Sequence, residues 1–389
     1  MQPFVYHNPT KIVFGENTVG QIGPETRPFG RRAMLVYGRA SIKQSGVYDA
    51  VAGSLRAAGL EVVEYGGVRA NPVLSHLRAG IALAKQEKIE VVVAAGGGSV
   101  IDEAKAIAAG AVDNGDVWDF YTRRRPVGGA LPLTTVLTLA ATGTEMNGGT
   151  VITHDETREK LAYISPHCQP RVSILDPTTT YSVPANHTAY GAVDAMTHLL
   201  EGYFTHSDPW TPIQDRYVEG IVRTIRECVE RVLADPRDAQ GRATIMWAAT
   251  LAWNGLALAG VGACQFLNHM LEHPLSGLYD VAHGAGLAVV LPAWMRHTAR
   301  EHPARLAQFA RNVLGLRLAS EPQAAVEGAR TLRAWFRQIG APTTLTAAGI
   351  PPADIDRIAA ATFALSQRWG VTRYTQQQLA DIYRLCEEP

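Results

Sequence analysis

Asp194 and His198 stand four residues apart in a helical stretch, Tyr190 to Tyr203, so both side chains project from one face. His269 and His273 form a second such pair, and His283 follows at a His-Gly step that opens another segment. One carboxylate and three imidazoles drawn from this group make an oxygen-and-nitrogen ligand set for a borderline divalent ion, Zn²⁺ or Fe²⁺, where no cysteine is at hand. A lone helical histidine is more often a satisfied core residue, but these gather in a glycine-rich, charge-poor region. A competing reading exists. His269-Met270-Leu271-Glu272-His273 spells H-x-x-E-H, the inverted zinc-peptidase motif, with Glu272 as general base. That reading gives the chain's glycine loops no role.

The first of those loops is Gly96-Gly97-Gly98-Ser99, directly after the apolar run Glu90 to Ala95. Glycines there let backbone approach a phosphate closely, and the helix start that follows offers free N–H groups and a positive dipole end. Ser99 and Asp102 also read as a capping pair, close to the S-x-x-E pattern. The loop is neither a G-x-G-x-x-G fingerprint nor a Walker loop, and a tight strand-to-helix turn without ligand is the plainer alternative. A second stretch, Thr138 to Gly149, is rich in glycine and small hydroxyls and suits a second wall around a dinucleotide, or an ordinary polar loop.

Positioning such groups requires two kinds of scaffold. Up to about residue 183, short β-branched runs (Ala33 to Tyr37, Glu61 to Tyr65, Glu90 to Ala95) end in glycine and alternate with helical patterns at Val47 to Ala58 and Leu74 to Glu87. That texture predicts a parallel sheet covered on both faces, with ligands at the carboxyl ends of its strands. Beyond Pro177 and Pro184 the chain is Ala-, Leu- and Arg-rich at helical spacing. The division is therefore an α/β dinucleotide-binding domain over 1–183 and an all-helical metal-binding domain over 184–389. The segment Ala243 to Leu271 contains no Asp, Glu, Lys or Arg. Its amides and glycines favour a helix buried in the core over a membrane span.

Composition narrows the function classes. The 389 residues are 47% hydrophobic and 19% charged, enough for two cores and too apolar for a disordered chain. Thirty-six basic residues balance thirty-six acidic ones, so no field exists to attract nucleic acid or anionic membrane. The four cysteines form no C-x-x-C pair, and the N-terminus lacks a signal-peptide pattern, which points to the cytoplasm.

These blocks, together with Asn8 to Gly15, Asn71-Pro72, Trp118-Asp119-Phe120 and Leu175-Asp176-Pro177, resemble the iron-containing (group III) alcohol dehydrogenases, in the butanol dehydrogenase and NADPH-dependent aldehyde reductase branch. The resemblance implies the dehydroquinate synthase-like, iron-type alcohol dehydrogenase fold, with a Rossmann-like first domain. It assigns metal ligation to Asp194, His198, His269 and His283, and places His273 beside the metal without binding it, near the substrate, where an imidazole is the candidate proton relay. It assigns Gly96, Gly97, Gly98 and Ser99 to the pyrophosphate, with Asp102 in the same block. Asn71, Thr138, Thr142, Asn147 and Lys160 would line the cofactor cleft. In NAD-preferring relatives an Asp follows the first strand of the cofactor domain. Gly38, Arg39, Ser41 and Lys43 here replace that carboxylate with a hydroxyl and cations, which favours NADP(H), with NAD possible. The implied activity is metal-dependent, reversible hydride transfer between NADP(H) and small primary alcohols or aldehydes, in a homodimer carrying Fe²⁺ or Zn²⁺. Alternatives within the fold are an NAD-dependent polyol dehydrogenase and a dehydroquinate-synthase-like lyase. Trp118, Phe120, Tyr121, Trp253 and Leu258 are candidate lining residues.

Overall fold

The glycine-terminated apolar runs form one end of a parallel sheet in the computed structural model, which describes residues 1–388. Its strands are β1 (Lys11–Phe14), β2 (Arg32–Tyr37), β3 (Glu61–Tyr65), β4 (Val91–Gly96), β5 (Leu133–Leu137) and β8 (Val172–Leu175), in the order β1-β8-β5-β4-β2-β3. Every neighbouring pair is parallel, with Ala94 opposite Val36 on one side and Thr135 on the other. Val91 to Ala95 are fully buried, as strands covered on both faces must be. Helices α1 (Val47–Ala57), α2 (Leu74–Gln86) and α3 (Gly98–Ala111) supply crossovers between parallel strands. A separate antiparallel hairpin, β6 (Gly149–Thr153) with β7 (Lys160–Ile164), was not foreseen from the sequence.

From Pro184 the elements are helical: α4 (Ala185–Thr205), α5 (Pro212–Ala234), α6 (Ala239–Ala252), α7 (Leu267–Tyr279), α8 (His283–Thr298) and α9 (Pro303–Asn312), followed by further helices to Glu387. Helix α8 is buried from Gly284 to Met295. It packs on α4 and α7 and is apolar nearly all round, as a core helix should be. Its start lies directly on the α4 backbone: a Cβ at Gly284 would stand 2.0 Å from the Tyr190 carbonyl oxygen, so only glycine fits.

The uncharged segment Ala243 to Leu271 is not one buried helix. α6 ends at Ala252, and Gly255, Gly260 and Gly262 take φ of 92°, 72° and 79° before α7 begins at Leu267. Such left-handed backbone interrupts a helix whatever the apolarity of its neighbours. Among the described residues no helix is long and apolar enough to cross a membrane.

The chain forms two compact units. The sheet unit comprises His7–Val183 and Asp235–Asn254, so α6 belongs to it. The helical unit comprises Met1–Tyr6, Pro184–Ala234 and the chain from Gly255 onward.

Candidate metal centre and dinucleotide cradle

In the helical unit, α4 presents Asp194, His198 and Glu201 on one face, α7 brings His269, Glu272 and His273, and α8 starts at His283. Asp194 Oδ1 lies 3.2 Å from His198 Nδ1, 3.8 Å from His269 Nε2 and 3.7 Å from His283 Nε2. One ligand atom each from Asp194, His198 and His269 fall within 4.8 Å of one another. Asp194 Oδ1 and His269 Nε2 are both buried without a hydrogen-bond partner. Orphaned polar atoms of this kind are costly, and two of them 3.8 Å apart among imidazoles fit a bound cation. Opposite charges face one another in this cluster. Burial acts to raise the Asp194 carboxyl, but His198, His283 and His269 hold it well below the usual carboxylate range. Burial acts to lower His269, yet Glu201 and Asp194 push it up to about 10. Asp194, His198 and His269 therefore suit a divalent ion with one oxygen and two nitrogen donors, while His283 Nε2 lies outside that three-residue group, 3.7 Å from the same carboxylate oxygen.

Two buried glutamates stand behind this set, and neither was singled out as a supporting residue from the sequence. Glu201 accepts from the backbone N–H groups of Asn268 and His269 and from His269 Nδ1, capping the start of α7 while orienting that ring. Glu272 accepts from His283 Nδ1 and from the Ser276 hydroxyl. Both Glu272 oxygens are thus engaged away from the role of a peptidase base, so the H-x-x-E-H reading has no geometric support. His273 is 3% exposed, its ring 5.9 Å from that of His283 and 5.3 Å from Trp369, edge to face with both.

In the sheet unit, β4 ends at Gly96, and Gly97 caps α3 with extended backbone. A Cβ at Gly98 would meet Thr142 Oγ1 at 2.8 Å, and one at Gly97 would meet Leu139 Cβ at 3.1 Å. Thr138 N–H donates to the Gly96 carbonyl at 3.0 Å, so the two glycine-rich stretches lie side by side. The Ser99–Asp102 capping pair does not form, because the helix begins one residue before Ser99 and carries no side-chain cap. Asp102 instead turns into a buried network, accepting from Thr144 Oγ1 at 2.6 Å and from Val151 N–H at 3.0 Å. Lys105, passed over in the sequence, is fully buried and donates to Thr144 Oγ1 (2.7 Å), Asn147 Oδ1 (3.2 Å) and the Gly149 carbonyl (2.8 Å). Burial pushes its ammonium down to about 8 against the pull of Asp102. Asp102 and Asn147 thus brace the loop from beneath.

Asn71 and Lys160 are brought together, Nζ donating to Asn71 Oδ1 at 3.1 Å, although 89 residues separate them. Gly38 follows β2, and Ser41 and Lys43 lie on the short helical turn after it. Lys43 Nζ sits 5.1 Å and 4.6 Å over the rings of Tyr37 and Tyr48. Tyr37 also donates to Glu64 at 3.1 Å, so a carboxylate from β3 enters this cluster where the sequence showed only cations. Arg39 is exposed. Of the aromatic lining candidates, Phe120 and Tyr121 are core residues packed edge-on to Tyr163.

Comparison with known proteins agrees with this geometry. The family model for iron-containing alcohol dehydrogenase matches residues 9–177, and that for the C-terminal part of the Fe-containing alcohol dehydrogenase family matches 188–388. The chain is 45% identical over 361 residues to a probable NADH-dependent butanol dehydrogenase 1 of Bacillus subtilis, covering 92% of this chain and 93% of that protein. It is 37% identical to the NADPH-dependent aldehyde reductase of Escherichia coli, over 91% of each. The crystal structure of an NADH-dependent butanol dehydrogenase A from Thermotoga maritima superposes with a TM-score of 0.96 at 43% identity, covering 100% of this chain and 99% of that one. The chain belongs to the iron-containing alcohol dehydrogenase family, a metal-dependent oxidoreductase that works with a nicotinamide dinucleotide.

Proposed function

We propose that this protein catalyses reversible hydride transfer between NADP(H) and small primary alcohols and aldehydes, using NADP(H) in preference to NAD(H), as a cytoplasmic homodimer. The observation that carries the reading is the pair of buried, unpartnered donors, Asp194 Oδ1 and His269 Nε2, within a carboxylate-and-histidine cluster. Asp194, His198, His269 and His283 would hold the ion. When bound, that ion supplies Lewis acidity to the substrate oxygen, and the dinucleotide supplies or accepts the hydride. The protein's part is to hold and orient. Gly96, Gly97, Gly98 and Ser99 admit the pyrophosphate to the start of α3, with Thr138 and Thr142 alongside. Asn71 and Lys160, already joined, add a fixed polar wall. Gly38, Arg39, Ser41 and Lys43 meet the ribose end, where the missing carboxylate after β2 admits a 2′-phosphate. His273 holds and passes the proton that the substrate oxygen gains on reduction or loses on oxidation. Aldehyde, reduced dinucleotide and one proton thus balance alcohol and oxidised dinucleotide.

The cytoplasmic location is supported by four free cysteines, three of them buried. The homodimer rests on family resemblance. The test is oxidation of NADPH by butanal before and after chelation, with NADH in parallel. Activity is expected to vanish with the metal, to return with Fe²⁺ or Zn²⁺, and to show the higher kcat/KM with NADPH. Chelator-resistant turnover would sink the metal mechanism, and equal or better use of NADH would sink the cofactor preference.

A further inference from the structure

Glu272 is 0% exposed in the middle of α7, a position where an apolar helix would ordinarily place Leu. A buried carboxylate is costly unless its oxygens are bonded, and both are: Oε2 to His283 Nδ1 and Oε1 to the Ser276 hydroxyl. Ser276 Oγ also stands 3.0 Å from the Val281 carbonyl, in the turn that joins α7 to α8. Room for the side chain comes from α8, since a Cβ at Gly286 would lie 2.8 Å from Glu272 Cγ and Oε1. Helix, serine and glycine together fix the carboxylate in one place.

What it holds is the least enclosed histidine of the set. The His283 side chain is 22% exposed, against 9% for His198 and 8% for His269. It occupies the first residue of α8, where no side chain caps the helix. Packing alone therefore restrains this ring least. A carboxylate accepting from Nδ1 leaves Nε2 with its lone pair, and Nε2 is the atom 3.7 Å from Asp194 Oδ1.

We propose that Glu272 is a positioning residue of the metal centre, fixing the ring orientation and tautomer of His283 from a seat that Ser276 and Gly286 prepare. This rests on the metal-dependent reading above. Glu201 does the like for His269 but also caps α7, so Glu272 gives the cleaner test.

The experiment measures release of Zn²⁺ or Co²⁺ from wild type, Glu272→Gln and Gly286→Ala into excess chelator. The absorption spectrum of the Co²⁺-loaded proteins and the Tm of the metal-free proteins are recorded alongside. The glutamine variant keeps the volume and loses the charge, whereas the methyl group added by Gly286→Ala keeps the charge and crowds it out of its seat. Both variants are expected to bind metal ~10–100-fold more weakly. Their Co²⁺ spectra should be altered and their metal-free Tm unchanged. Retention and spectra like wild type in both variants would overturn the proposal, as would a metal-free Tm loss unaccompanied by any change in retention. If Glu272→Gln does not fold, Gly286→Ala decides. A wild-type protein that binds no divalent ion overturns the functional reading itself, an outcome separate from equal binding by all three.

Discussion

Spacing alone distinguishes Asp194 with His198 but cannot separate His269 from His273, because both lie four apart on one helical face. What separates them is Glu201, which bonds Nδ1 of His269 and the amides beside it. A signal for that glutamate was present. It falls at i+7 from Asp194, on the same face and in a helix that is otherwise buried there. Glu272 was read as part of a peptidase motif, and only the fold shows its oxygens spent on His283 and Ser276. His273 is buried against Trp369 and, like His283, lies outside the group of Asp194, His198 and His269. His273→Ala is expected to lower kcat by roughly 10²-fold, the usual worth of a positioned proton donor, with metal content unchanged. Elemental analysis beside steady-state kinetics checks this. Loss of the metal would make His273 a ligand instead.

Among elements, the strands with continuous apolar runs were legible because a sheet buried on both faces needs no alternation. β2 runs over Arg32–Tyr37, β4 over Val91–Gly96 and α1 over Val47–Ala57, within a residue of expectation. The β6–β7 hairpin was not legible. Its strands are polar in places, with Lys160 buried opposite Thr153, and lie outside the main sheet. Nor was the tie between α5 and α9, which needs contacts 90 residues apart. Arg305 on α9 grips Asp215 on α5 with two bonds of 2.9 Å and 2.7 Å, and its guanidinium lies 4.1 Å over the Tyr203 ring. Burial acts to raise the Asp215 carboxyl, but Arg305, His206 and Gln308 hold it far below the usual carboxylate range. A carboxyl depressed in the folded state stabilises above its unfolded pKa, near ~4, and that stabilisation is lost as pH falls below it. Asp215→Asn is therefore expected to cost about 2–4 kcal/mol at pH 7. The deficit should stay level down to about pH 5 and narrow below about pH 4. Urea unfolding of both proteins across that range measures it. A deficit that stays constant through acid would show that the charge of Asp215 contributes nothing.

At the scale of the whole molecule, neither compact unit is one continuous stretch of chain. The division by texture at 183/184 follows the change from strands to helices, whereas α6 is helical in texture and is grouped with the sheet. Its bonds there are specific. Trp247 packs edge-on to Phe14 at 6.1 Å, the Asn254 carbonyl accepts from Asn8 at 3.2 Å, and Thr250 donates to the buried Glu145. A Cβ at Gly143 would come within 2.9 Å of the Ala249 carbonyl, so the Thr138–Gly149 stretch is moulded to this helix. Removing α6 strips the hydroxyl from the Glu145 carboxyl, which is 1% exposed, and uncovers the apolar surface around it. Residues 1–183 expressed alone are therefore expected to retain far-UV circular dichroism, bind a hydrophobic dye and unfold without a sharp transition, the marks of lost packing. A synthetic peptide of residues 235–254, added in trans, should suppress the dye signal and restore a cooperative urea transition. If the fragment already unfolds sharply without the peptide, α6 is dispensable to the sheet unit, and the Thr138–Gly149 stretch keeps its shape on local bonds alone.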